Sequence, residues 1–278
     1  MGRMTDMQKF KHFGSAVDNF DDPSRRYIFK LSKNLILANA SLLMLGDSGL
    51  RQIQVGMLCE AEREMLLQPV YGENMLHDIT IPGVGTAAMK FQVVDKFKME
   101  HVAILNKTIL EILPYSKGFL LIINYGIWYN NQDEFERDMN ILFEELLKVI
   151  VFLHSNKKKL VFVWAESTAQ HWPENYNGYF TKQKSIEMWC NDIQNISFHE
   201  DWRNDYIWKM FLEGQWSQHV SLLNVTVGIL PIRQLTVALA DMHISHDYRD
   251  CTHYCYTPMM YQSLYHELVN LSAELLIN

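Results

Sequence analysis

The chain has 278 residues, 48% of them hydrophobic and 12% aromatic, and a formal net charge of −7, the profile of a globular protein able to bury a full core. The acidic balance argues against a nucleic-acid backbone as partner, because phosphate binding needs clustered Lys and Arg, and the one compact basic run, Lys157-Lys158-Lys159, reads as a solvated turn before a strand. No stretch of about eighteen uninterrupted apolar residues occurs, so no transmembrane segment is expected.

Asp22-Pro23 is a helix-start signal, and Tyr27, Ile28, Leu31, Leu35 and Ala38 follow at helical spacing. Leu42-Leu43-Met44-Leu45 is a short continuous apolar run, as expected of a parallel strand buried on both faces. After Gly46-Asp47-Ser48, the positions Leu50, Ile53, Met57, Leu58, Ala61 and Met65 fall on one face of a helix reaching about Leu67. Ser48 therefore stands between a strand end and a helix start, where free backbone N–H groups point at whatever binds.

Between Gln68 and Ser116 the pattern is weak: Pro82-Gly83-Val84-Gly85 marks a turn, and Ala88 to Val94 suits a strand. Gly118 to Ile123 is a clear strand, ending in Asn124-Tyr125-Gly126-Ile127-Trp128. Phe135, Met139, Leu142, Phe143, Leu146, Val149, Ile150 and Leu153 form the best helical stripe. Leu160 to Trp164 is the next strand, followed by an aromatic and polar loop from Glu166 to Pro173 that includes His171 and Trp172. A helix is predicted around Tyr206 to Leu212, a last strand over Val220 to Val225, and a closing helix through Tyr261, Leu264, Leu268, Leu271 and Leu275. The alternation of strand and helix, without repeat or linker, predicts one α/β domain over residues 1–278, with a parallel sheet covered on both faces.

Two stretches carry chemistry. A serine hydroxyl needs a base to take its proton, and a histidine base needs a third group to fix its tautomer. Ser48 is the candidate nucleophile, and Asp250 with His253, three residues apart in Asp250-Cys251-Thr252-His253-Tyr254-Cys255, are the candidate orienter and base. The bland alternatives are that Asp47 is merely a helix N-cap with Ser48 a bystander, and that Asp250 and His253 share a local hydrogen bond. A zinc site from His243, His246, Cys251, His253 and Cys255 is the rival; its spacing fits no common zinc pattern, so neither metal nor cofactor is expected. Asn124, at a strand end, is either satisfied by its own backbone or a donor to an oxyanion. His171 and Trp172 belong to the core or to the rim of a site, where an aromatic loop would suit a sugar ring.

These pieces together resemble a family. Gly46-Asp47-Ser48 with Arg51 is similar to the GDS-x-x-R motif of the trichome birefringence-like polysaccharide O-acetyltransferases, or PC-esterases, of the SGNH/GDSL hydrolase superfamily. Asp250 to Cys255 resembles their D-C-S-H-W-C, Asn124 to Trp128 their N-T-G-H-W, and Leu223-Asn224-Val225-Thr226 followed by Asp241-Met242-His243 their L-N-I-T and D-A-H. The resemblance runs from about Leu42 to Leu268 and implies a three-layer α/β/α sandwich of the flavodoxin-like SGNH type. It implies Ser48 as nucleophile, His253 as base, Asp250 as its partner, and an oxyanion hole shared by the Ser48 N–H and Asn124, with Arg51, Trp128, His171 and Trp172 toward the substrate. The implied reaction is transfer of an acyl group, acetyl by expectation, to a carbohydrate acceptor, or its hydrolysis from an acetylated glycan, with an unidentified acyl donor. A plain carboxylesterase and a catalytically silent carbohydrate-binding or interaction protein are the alternatives.

The chain departs from the family at Tyr129, where a second tryptophan is usual, and at Tyr256-Thr257-Pro258 after the last cysteine. The family's membrane anchor and cysteine-rich N-terminal part have no counterpart here, and the oxyanion glycine is unassigned, with Gly83 and Gly85 as candidates. The family also implies a disulfide at Cys251, with Cys190 as its partner. Such a bridge needs an oxidising compartment, and sequons at Asn39, Asn106, Asn195, Asn224 and Asn270 point to the secretory pathway, the Golgi lumen by resemblance. Met1 to Asp6 shows neither a signal core nor a myristoylation pattern, which read literally is cytoplasmic; an incomplete N-terminus or atypical targeting would reconcile the two.

Overall fold

The computed structural model describes residues 26–63, 76–81, 84–171, 201–223, 225–237, 239, 252, 254 and 258–277. In chain order the elements are α1 (Tyr27–Ala38), β1 (Ala40–Gly46), α2 (Ser48–Arg63), β2 (Leu76–Ile81), β3 (Gly85–Val93), α3 (Met99–Ile112) and β4 (Gly118–Ile123). There follow α4 (Gln132–Ser155), β5 (Lys159–Ala165), α5 (Trp202–Leu212), α6 (Gln215–Leu222), β6 (Thr226–Leu230), α7 (Ile232–Thr236) and α8 (Pro258–Ala273), closed by a 3-10 turn, Glu274–Leu276.

All six strands join one sheet in the order β2-β3-β1-β4-β5-β6. β3, β1, β4, β5 and β6 are parallel, and β2 is an antiparallel edge strand on β3, with Ile81 opposite Gly85. The five parallel strands, counted among themselves, have the order 2-1-3-4-5 of flavodoxin-like folds.

β1 is buried along its whole length, and its alternating side chains feed two separate cores. Leu42 and Met44 point into one layer, with Ile28, Leu31 and Leu35 of α1, Leu50, Ile53 and Met57 of α2, and Tyr261, Leu264 and Leu268 of α8. Leu43 and Leu45 point into the other, with Val102, Leu105 and Ile109 of α3, the α4 stripe, Ile207 of α5, and Trp216 and Val220 of α6. The molecule is thus a three-layer α/β/α sandwich, and the continuous apolar strands are the consequence of burial on both faces. α4 begins where the Asn131 side chain accepts the Glu134 N–H at 2.8 Å, with Asp133 and Glu134 in its first turn.

One expectation is corrected here. Residues 215–222 form α6, and the last strand starts later, at Thr226. Trp216 and Val220, four apart, share one helical face and are buried, while Leu222 is 83% exposed; a strand would have put Val220 and Leu222 on the same face. α3, a full helix, lies in the stretch where the sequence pattern is weak. Asp22, Pro23, Pro82 and Gly83 lie outside the described residues. Among the described residues no helix is long and apolar enough to cross a membrane.

Candidate functional site

In an open parallel sheet the crevice for ligands lies beyond the strand carboxyl ends, where consecutive connections leave toward opposite faces. Here that switch point falls between β1 and β4, since the chain leaves β1 for α2 on one face and leaves β4 for α4 on the other. Gly46-Asp47-Ser48 follows β1, and Asn124 to Trp128 follows β4.

At the first junction Gly46 permits close packing: a Cβ there would stand 2.7 Å from Leu50 Cδ2 and 3.1 Å from Asn124 Cβ. Asp47 is fully buried, and its Oδ1 accepts the Gly49 N–H at 2.9 Å, which makes it the N-cap of α2. Its Oδ2 accepts the Ile127 N–H at 3.2 Å, so the same carboxylate ties the loop after β4 to the start of α2. Burial pushes the Asp47 carboxyl up to about 6, against the pull of these N–H donors and of Arg203. Ser48 is the first residue of α2, and its backbone N–H is one of those a helix leaves without an internal acceptor.

Four adjacent strands each deliver one buried polar atom without a hydrogen-bond partner among the described residues. They are Ser48 Oγ after β1, Asn124 Oδ1 after β4, Thr168 Oγ1 after β5 and Arg233 Nε after β6. A buried polar atom left unpaired costs about 1–3 kcal/mol; among the described residues four such atoms stand along this edge, and Ser32 Oγ in α1, Trp164 Nε1 in β5 and Trp216 Nε1 in α6 are further ones. The Asn124 amide is half committed: one of its two N–H groups donates to the Ala165 carbonyl at 2.9 Å.

Behind the row lies a buried charged cluster. Arg203 Nε and Nη2 donate to the two oxygens of Asp201, each at 2.9 Å, and Arg233 Nη1 donates to Asp201 Oδ2 at 3.0 Å. Burial pushes the Asp201 carboxyl up, but the two guanidiniums outweigh it and hold the group below its usual range. Arg203 Nη1 reaches on to the Gly126 carbonyl and to Gln170 Oε1, both at 3.1 Å, which fixes the loops after β4 and β5 to each other. Glu166, at the start of the β5 loop, accepts from Trp208 Nε1 at 2.7 Å and from the Arg233 N–H at 3.1 Å; its carboxyl is raised by burial.

Thr252 and Tyr254 dock onto this edge. Gln170 Nε2 donates to Thr252 Oγ1 at 3.0 Å. Gln52, four residues along α2 from Ser48, donates from Nε2 to the Tyr254 carbonyl at 2.8 Å and accepts the Tyr254 N–H on Oε1 at 3.2 Å. The buried Tyr254 hydroxyl lies 2.6 Å from the Ala169 carbonyl, to which it donates, and 3.3 Å from His171 Nδ1.

Of the residues singled out in the sequence, Ser48 and Asn124 therefore come to the switch point. Arg51 is exposed on the first turn of α2, and Trp128 is exposed on the loop after β4. His171 takes the core rather than the rim position: it is fully buried, with Nε2 at 2.8 Å from the Val237 carbonyl and Nδ1 facing Tyr254. Gly85 is excluded from the oxyanion hole because it opens β3 at the amino edge. Val93 is level with Gly46, which leaves Gly85 eight residues and about 26 Å away. Asp250, His253, Trp172, Gly83, Cys190, Cys251 and the rest of the zinc set lie outside the described residues. Tyr129 is fully buried, its hydroxyl accepting the Phe97 N–H at 2.8 Å and donating to Asp138 at 2.9 Å.

Sequence reasoning missed Gln52, Gln170, Asp201, Arg203 and Arg233. Asp201 carried a readable signal, an acidic residue before a predicted helix, whose side chain does accept the Arg203 N–H at 3.1 Å. The glutamines carried none, because each is defined by a partner far away in the chain. No family model matches the chain, and no curated protein matches it.

Proposed function

We propose that the chain is a serine-dependent acyl-group enzyme of the SGNH, PC-esterase-like type, acting on a carbohydrate hydroxyl or its acetyl ester. In this reading His253 takes the Ser48 proton as Ser48 Oγ bonds to the acyl carbon and the donor's ester bond breaks. The proton passes to the leaving oxygen, and a sugar hydroxyl or water then takes the acyl group from Ser48. Asp250 orients His253, and the Ser48 N–H with the second Asn124 N–H faces the developing oxyanion.

The observation that carries the proposal is the row of unpaired polar atoms at the switch point, with Ser48 Oγ at its head. The N-cap role of Asp47 accounts for Asp47 but leaves the buried Ser48 hydroxyl without a partner among the described residues. The chain neighbours of His253 support the same reading, since Thr252 and Tyr254 are hydrogen-bonded to Gln170 and Gln52 on this edge. For a carbohydrate acceptor the support is Trp128, an aromatic residue 37% exposed on the loop after β4.

A fluorophosphonate probe tests the nucleophile, because only an activated serine forms the adduct. The expected result is a single adduct on Ser48, absent from Ser48→Ala although that variant melts within a few degrees of the native protein. An unlabelled native protein would favour the silent binding reading. With adduct formation established, release of acetate to water against transfer to added oligosaccharide separates hydrolase from transferase.

A further inference from the structure

We infer that Gln52 is a positioning residue, which sets the separation between the Ser48 hydroxyl and the chain at Thr252 to Tyr254; this rests on the reading of Ser48 as nucleophile. Residues four apart on a helix lie on one face, and their side chains lean toward its N-terminus. Gln52 is four residues after Ser48, so its amide is carried by the same rigid turn of α2 as the hydroxyl. Its grip on Tyr254 spans 202 positions in the sequence and uses both backbone groups of one residue, the carbonyl at 2.8 Å and the N–H at 3.2 Å. Only a carboxamide of this length both donates and accepts there; a carboxylate loses the donor and a shorter amide loses the reach.

The far side of the segment is held as firmly. Gln170, locked by the Arg203 guanidinium at 3.1 Å, takes Thr252, and the Tyr254 ring is buried with its hydroxyl on the β5 loop. Tyr254 is therefore held between α2 and the β5 loop, and Thr252 against the β5 loop. Among the described residues of the clamp, Gln52 is the one that shares an element with Ser48. Loss of Gln52 leaves the Tyr254 ring and the Gln170 contact in place while removing the two bonds from α2 to the Tyr254 backbone.

The test compares fluorophosphonate labelling rates of native protein, Gln52→Ala and Gln52→Glu, with hydrogen exchange at the Tyr254 amide and a thermal melt for each. Gln52→Ala is expected to label Ser48 about 10- to 100-fold more slowly, as for a displacement of about 1 Å at a reacting centre, with faster Tyr254 exchange and a nearly unchanged melt. Gln52→Glu keeps the acceptor, so Tyr254 stays protected and labelling falls between the two. Native-rate labelling in Gln52→Ala with a freed Tyr254 amide overturns the inference and leaves the nucleophile reading standing. Absence of label on native Ser48 overturns the nucleophile reading itself. Should Gln52→Ala fail to fold, Gln52→Glu decides: labelling slower than native is the expected result there, and native-rate labelling is the refuting one.

Discussion

Asp47 performs two tasks with one carboxylate, and burial sets a cost on both. Its pKa in the folded chain is about 6 against an ordinary 3.8, so folding favours the protonated form. The stability this contributes is fully present below about pH 4 and is lost as pH rises through 6. A rise of this size corresponds to about 3 kcal/mol. Asp47→Asn cannot ionise, and although it exchanges one acceptor for an N–H facing Ile127, that penalty is the same at every pH. The expected outcome is that unfolding free energies of the native protein and of Asp47→Asn, measured by urea titration, converge or cross between about pH 4 and 6.5 in favour of the variant. Parallel curves would mean that Asp47 titrates in the folded chain as it does in the unfolded one. Such a carboxylate is kept because it accepts the N–H groups of both Gly49 and Ile127, and these two bonds hold the two halves of the crevice in register.

At the level of elements, the sequence is most legible where one layer decides the pattern. β1, β4 and β5 are buried on both faces and appear as unbroken apolar runs; α4 buries one stripe and shows it. The end of α6 resembles a strand in sequence because Val220, Leu222, Leu223 and Val225 form a short, mostly apolar stretch, which periodicity cannot assign by itself. Its helical state comes from tertiary packing: the Trp216 ring centroid lies 5.0 Å from those of Phe143 and Phe211 and 5.4 Å from that of Phe162. This gives a sharp contrast between two apolar residues two positions apart. Leu222→Lys is expected to change stability by less than about 0.5 kcal/mol, whereas Val220→Lys buries a charge and costs more than about 3 kcal/mol. Equal effects in thermal or denaturant unfolding would restore the strand. α3 was readable in principle from Val102, Leu105, Ile109 and Ile112, but charged and polar residues around it dilute the stripe.

For the whole molecule, the class of fold and the place of Ser48 follow from local pattern, but the surroundings of the site do not. Asp201, Arg203 and Arg233 come from the two sides of β6 and Gln170 from the loop after β5; nothing near any of them in sequence announces the others. The same is true of Gln52 and Tyr254, and their separation of 202 positions has a consequence in time rather than in space. Closing a loop of that length costs roughly 5 kcal/mol of chain entropy relative to a contact between neighbours, and this term opposes the clamp until the intervening sheet has shortened the path. The crevice is therefore among the last parts of the molecule to form. In refolding from urea, burial of Trp164 and Trp216, followed by fluorescence, is expected to precede recovery of Ser48 labelling, with Gln52→Ala changing neither the fluorescence phase nor its rate. A labelling signal that returns together with the fluorescence would show that the two ends of the chain meet early. Completion of this crevice is a late event in the life of each chain, so nascent or partly folded molecules carry the sheet before they carry the crevice.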